Sequence, residues 1–138
     1  MRNKHDQHCK AIADKLEAIA DGRLYKCPAC GEYVEDNNLF CECGAQVELI
    51  GNGGNEPWEP VSFYDYFEGM LDIDYVVNSQ KEYKACRIMV AYGGPNIYIN
   101  TWERKVELYW WNESGSMWLT NDTCNAIDVW AEEYFNCL

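Results

Sequence analysis

Cysteines open two tight turns in this chain: Cys27-Pro28-Ala29-Cys30-Gly31 and, with ten residues between Cys30 and Cys41, Cys41-Glu42-Cys43-Gly44. Four thiolates match the tetrahedral preference of zinc, and the glycine after each pair relieves backbone strain beside a metal. The first pair has two residues between its cysteines; the second has one, where two are commoner. The expected role is a closed structural zinc on Cys27, Cys30, Cys41 and Cys43. Such a site contributes roughly 10–16 kcal/mol of apparent binding energy. The segment is too small to fold on an apolar core alone. Iron also accepts four thiolates, zinc being the commoner structural choice. A catalytic zinc would keep an open position next to a general base, and a redox dithiol at Cys27/Cys30 would leave the second pair unexplained. His5, His8 and Cys9 are reserve ligands if the N-terminal helix folds back onto the metal. Cys9, Cys86 and Cys124 fall on apolar stripes and Cys137 lies near the C-terminus, so all four read as thiols of a reducing compartment, without disulfides.

Little else in the chain can do chemistry. The two histidines both fall within the first eight residues, which leaves few general bases for neutral pH. Asp72/Asp74 and Glu132/Glu133 are paired carboxylates of the kind that cover solvated faces. Gly93-Gly94-Pro95 lacks the Lys-Ser/Thr and the helix of a phosphate loop, so it reads as a hairpin turn. The H-x-E that zinc deaminases place ahead of their cysteines is missing. The chain is therefore expected not to be an enzyme.

The elements that must position the cysteines follow from periodicity. Between His5 and Asp21, Cys9, Ile12, Ala13, Leu16, Ile19 and Ala20 recur every three or four residues, which predicts an amphipathic helix stopped by Gly22. Short strand-like pieces at Tyr33-Val34, Leu39-Phe40 and 46–50 surround the cysteines, and residues 51–57 have linker composition. Ser62 and Asp65 form a capping box ahead of Phe63, Tyr66, Phe67, Met70 and Leu71, which predicts a second, short helix. The period then drops to two. Ile73, Tyr75 and Val77 alternate with Asp72 and Asp74, and strands at 86–92, 97–101 and 106–111 follow with short connections, as in an antiparallel meander. Met117 to Leu119 add an edge strand. Val106, Leu108 and Trp110 share one sheet face, and Glu107, Tyr109 and Trp111 the other. Thr120 caps a last helix with the stripe Cys124, Ile127, Trp130, Ala131, Tyr134 and Phe135, laid across one of those faces. The fold class is α+β. The expected organisation is a helix and four-cysteine zinc ribbon at 1–50, a linker at 51–60, and a sheet with packed helices at 61–138.

The 138 residues carry a formal charge of −12. Residues 1–50 hold 6 basic and 9 acidic groups; residues 51–138 hold 5 and 14. Between 51 and 80 stand Glu56, Glu59, Asp65, Glu68, Asp72 and Asp74, with no Lys or Arg among them. A field of this sign attracts cationic surfaces, so these six acids are the expected contact residues for a basic protein partner. Trp58, Tyr64, Trp102, Tyr109 and Trp111 add the aromatic content usual at interfaces. Phosphate backbones are unsuited to such a surface, and no direct nucleic-acid contact is expected. Lys81, Lys84 and Arg87 are the only clustered cations, the patch that an alternative reading as a zinc-ribbon, nucleic-acid-associated phage regulator would need. No apolar run reaches membrane-spanning length and no basic-then-apolar leader stands at Met1, so a cytoplasmic protein is expected.

A resemblance adds to this reading. The stretch from Arg87 to Phe135, above all residues 90–98 (VAYGGPNIY), 106–111 (VELYWW) and 126–133 (AIDVWAEE), is similar to small proteins of Firmicutes prophages and mobile elements. With the four cysteines and the acidic charge, the chain resembles zinc-containing anti-CRISPR proteins that act on type II-A systems. The resemblance implies stoichiometric inhibition in the bacterial host cytoplasm. The RNA-guided nuclease would be bound on a basic surface so that target DNA cannot load, and the cysteines are the only functional positions carried over. A positively charged nucleic-acid channel is a suitable target for an acidic protein. Elemental analysis of the purified chain is expected to give one zinc per chain. Cys27→Ser or Cys43→Ser is expected to lower solubility and unfold the protein; a variant that stays folded but loses an activity would place the metal in a functional site.

Overall fold

The computed structural model describes residues 3–27, 33–35 and 59–137. The fold is α+β: an N-terminal helix, a small three-stranded sheet, and a five-stranded antiparallel sheet followed by a C-terminal helix. Helix α1 spans Lys4–Ala20. The Asn3 side chain accepts from the Asp6 backbone N–H at its start, and Gly22 beyond its end takes φ +72°, a left-handed conformation that a side chain would oppose. Strand β1 (Leu24–Lys26) is the centre of the small sheet, paired with β2 (Tyr33–Glu35) on one side and β3 (Glu59–Pro60) on the other. Helix α2 is a single turn, Phe63–Tyr66. Its capping box forms as expected from Ser62 and Asp65, but Phe67 already leaves the helix, so Leu71 is exposed rather than part of a buried stripe.

The large sheet is a meander in chain order: β4 (Asp72–Val77), β5 (Tyr83–Ala91), β6 (Asn96–Asn100), β7 (Lys105–Trp110) and β8 (Glu113–Trp118). Its pairing puts Ile88, Ile99 and Val106 side by side on one face, with Ile97 beside Leu108. Helix α3 (Asn121–Asn136), capped by Thr120, shares the core on that face through Cys124, Ile127, Trp130 and Ala131. Alternation holds along β4 until a register shift between Val76 and Val77, which leaves Val77 exposed where a strict period of two would bury it.

Burial in α1 falls on Cys9, Ala13, Leu16 and Ile19, and these residues belong to the same core as the sheet and α3. By packing, α1 is thus one side of the C-terminal core, although composition grouped it with the cysteine segment. It lies against β7 and β8. The approach is close: a Cβ at Gly115 of β8 would stand 2.5 Å from the His5 carbonyl carbon and 2.7 Å from the Asp6 nitrogen. Asp6 Oδ1 also accepts from Ser116 N–H at 2.8 Å. An edge strand with open N–H groups invites pairing with other chains, and this contact occupies one of them.

Asp128 of α3 fastens the other side. Its Oδ1 accepts from Tyr83 Oη at 2.6 Å and from Thr101 Oγ1 at 2.8 Å, while Cys86 N–H donates to the same threonine oxygen at 2.9 Å. Burial holds the Asp128 carboxyl above the usual range despite those two donors. Among the described residues no helix is long and apolar enough to cross a membrane. Gly115→Ala should push α1 off β8 and lower stability by about 2 kcal/mol in thermal or urea melts, and Gly22→Ala by about 1 kcal/mol. Equal melts for wild type and Gly115→Ala would refute the close packing.

Candidate functional site

The helices leave one face of the large sheet without cover from any described element. Its side chains lie in rows set by the register: Asp74, Arg87, Asn100, Lys105 and Trp118 form one, and Asp72, Met89, Tyr98, Glu107 and Ser116 the next. A face open to solvent should read as polar and exposed. Glu107 departs from that, being only 5% exposed.

Four neighbours account for its burial. The Arg87 guanidinium lies over the Tyr98 ring, 3.8 Å from the centroid, and reaches Glu107 Oε2 at 3.3 Å. Tyr109 Oη donates to the same oxygen at 2.6 Å, and Asn100 Nδ2 donates to Oε1 at 2.8 Å. The Tyr98 and Tyr109 rings meet edge to face at 6.0 Å. Burial by itself would raise the Glu107 pKa. The hydrogen bonds from Tyr109 and Asn100 and the charge of Arg87 outweigh it and hold the carboxyl below its ordinary value. The bond to Glu107 in turn raises the Tyr109 hydroxyl. The result is a patch with two aromatic rings and one stacked cation held in fixed positions. Asp72 and Asp74 stand exposed at one edge, and Trp118, 74% exposed, at the other.

The six acids expected to act together are divided by the fold. Asp72 and Asp74 share the uncovered face with Glu107. Asp65 is committed to α2, where its Oδ2 accepts from Ser62 N–H at 3.1 Å, and Glu68 is exposed in the following turn. Both stand next to Phe67, whose ring packs against Trp130 of α3 at 4.7 Å, so they belong to the helix layer and not to the Glu107 face. Glu59 enters the small sheet through its backbone, paired with Lys26, and Glu56 lies outside the described residues. The Lys81, Lys84 and Arg87 patch is reduced in the same way, because Arg87 is engaged with Tyr98 and Glu107.

Of the expected metal ligands, Cys27 is buried at the end of β1. Lys26 pairs with Tyr33, so residues 27–32, including Cys30, connect two antiparallel strands. Cys30, Cys41 and Cys43 lie outside the described residues, as do the expected strands at 39–40 and 46–50. Cys9 faces the core, where burial pushes its thiol up to about 11, His5 and His8 stand near the start of α1, and among the described residues no three His, Cys, Asp or Glu side chains gather as a metal would require.

No protein-family model, curated protein or solved structure matches the chain. Sequence reasoning placed Glu107 and Tyr109 on one face but missed the cluster, since Arg87 and Asn100 come from different strands. Glu107→Gln replaces an acceptor by a donor opposite Arg87 and Asn100 and should cost about 2 kcal/mol at pH 7. With its folded pKa depressed, Glu107 contributes stability above the ordinary carboxylate range and loses it as pH falls through the lower folded value. Melts from pH 7 to about 3 should therefore fall more steeply for wild type than for Glu107→Gln; parallel curves would contradict the assignment.

Proposed function

We propose that this chain is a non-enzymatic inhibitor that binds the RNA-guided DNA nuclease of type II-A CRISPR systems and prevents target DNA from loading or being cut, its fold supported by a structural zinc on Cys27, Cys30, Cys41 and Cys43. The observation that carries the proposal is the uncovered sheet face. Its aromatic rings are fixed before any partner arrives by the bonds to Glu107, and two exposed carboxylates stand at its edge. Rigid aromatic groups and Arg, ringed by charge, are what interface hot spots are made of. The net charge of −12 suits a partner whose nucleic-acid channel is positive. The resemblance to anti-CRISPR proteins names the partner, and the buried Cys27 at the mouth of its hairpin supports the zinc.

Adding the protein to a type II-A nuclease–guide complex before target DNA should block cleavage, whereas adding it after DNA has loaded should have less effect. Asp72→Lys with Asp74→Lys should weaken inhibition by about tenfold, consistent with loss of two rim charges, and Glu132→Lys on α3 should leave it unchanged. Undiminished cleavage across several type II-A orthologues would remove the proposal, and equal inhibition by the double reversal would move the contact off this face.

A further inference from the structure

The chain turns from β7 into β8 through two residues, Trp111 and Asn112, since Trp110 pairs with Glu113. Trp111 takes φ +56° at the first of them, a left-handed position where a hairpin turn ordinarily places Gly. Its indole is 87% exposed, so burial does not offset the conformational cost. A large ring kept on an unfavourable backbone and left in solvent needs another reason.

Trp111 borders a hollow of about 280 Å³ whose other walls are Tyr92, Tyr109 and Trp110. The turn between β5 and β6 closes it, with Gly93 N–H donating to Asn96 Oδ1 at 2.7 Å. That turn lies so near Trp110 that a Cβ on Gly94 would stand 2.9 Å from the indole Cζ3. Trp110 and Trp111 meet edge to face at 83°, with ring centroids 6.0 Å apart. One ring is the floor of a corner and the other its wall. A corner of this kind cannot hold a flat ring on both faces, but it suits a rounded group that touches both at once.

Charge decides which rounded group. Aromatic faces are negative and attract cations. Tyr109 Oη donates to the Glu107 carboxylate at 2.6 Å, which adds electron density to one of the walls. No Lys, Arg or His lines this hollow; Lys4 and His8 line a different one. No carboxylate lines it either, and the Tyr109 hydroxyl and Asn96 Oδ1 are engaged elsewhere. A primary ammonium has three donors to satisfy and finds few acceptors here, whereas a fully alkylated one has none to satisfy. The fold already uses this attraction where the Arg87 guanidinium lies 3.8 Å from the Tyr98 centroid.

We infer that this hollow binds a trimethylammonium group, the cationic head shared by choline-type small molecules and trimethylated lysine. Its methyls rest on the faces of Trp110 and Trp111, with Tyr92 and Tyr109 at the sides. The left-handed turn then has a purpose, since it sets the Trp111 indole across Trp110.

Titrating the intact chain with choline, followed by the indole N–H signals in ¹⁵N–¹H spectra, tests it. The Trp110 and Trp111 signals should shift saturably, with half-saturation at about 1 mM. Dimethylbutanol, the neutral carbon isostere of choline, should bind at least about tenfold more weakly. Trp111→Gly, which relaxes the turn, should melt no lower than wild type and yet bind choline at least about fivefold more weakly. Val129→Ala, at an exposed position of α3, should bind as wild type does. A trimethyllysine peptide that binds at least about tenfold tighter than choline would assign the head to a modified protein, and equal binding would assign it to a small molecule; both support the site. No saturable shift up to about 20 mM choline would overturn the inference. So would equal binding of the isostere, which would mean an apolar hollow indifferent to charge, or choline binding unchanged in Trp111→Gly.

Discussion

A carboxylate buried on the solvent side of a sheet is tolerable only if its oxygens are hydrogen-bonded and its charge is matched. Glu107 meets that condition through Tyr109, Asn100 and Arg87, and each of these is fixed in doing so. Arg87 in turn lies on Tyr98, and Tyr98 meets Tyr109. One buried charge thus orders three adjacent strands on a face that no described helix covers. A surface prepared in this way loses little side-chain freedom when a partner docks, which favours tight association.

The opposite face explains why that surface can stay open. The helices cover the buried apolar side chains of the sheet: α1 over β7 and β8, and α3 over β5. Two polar fastenings set where they sit, Asp6 on Ser116 N–H and Asp128 on Tyr83 and Thr101. Among the described residues, the one ion pair that joins either helix to the sheet is His5 Nε2 with Glu113 Oε1 at 3.7 Å, consistent with a chain that has 23 acidic and 11 basic residues and few cations to spare. The position of α1 has a second effect, because it brings Lys4, His5 and His8 to the sheet end where Trp110 and Gly94 meet.

Much of this was legible in the order of residues. Gly22 and Thr120 mark helix boundaries by local chemistry, and the alternation in 105–110 separates Val106 and Leu108 from Glu107 and Tyr109. Features that depend on distant partners were not. β1 and β3 have three and two residues and exist because Tyr25 meets Pro60 and Lys26 meets Glu59, which no periodicity announces. The packing of α1 on β8 needs Gly115 opposite His5, a hundred and more residues apart in the chain. Six acids close in sequence looked like one patch, yet a turn of helix and a strand edge send Asp65 and Asp72 to different layers. Composition located the charge; topology divided it.

Hydrogen–deuterium exchange of this chain, alone and with a type II-A nuclease–guide complex, tests the central claim most directly. Exchange should slow in peptides spanning 72–77 and 85–110, whose side chains build the face around Glu107, and stay unchanged in α3. Protection confined to α3, or no protection anywhere, would contradict a partner seated on that face.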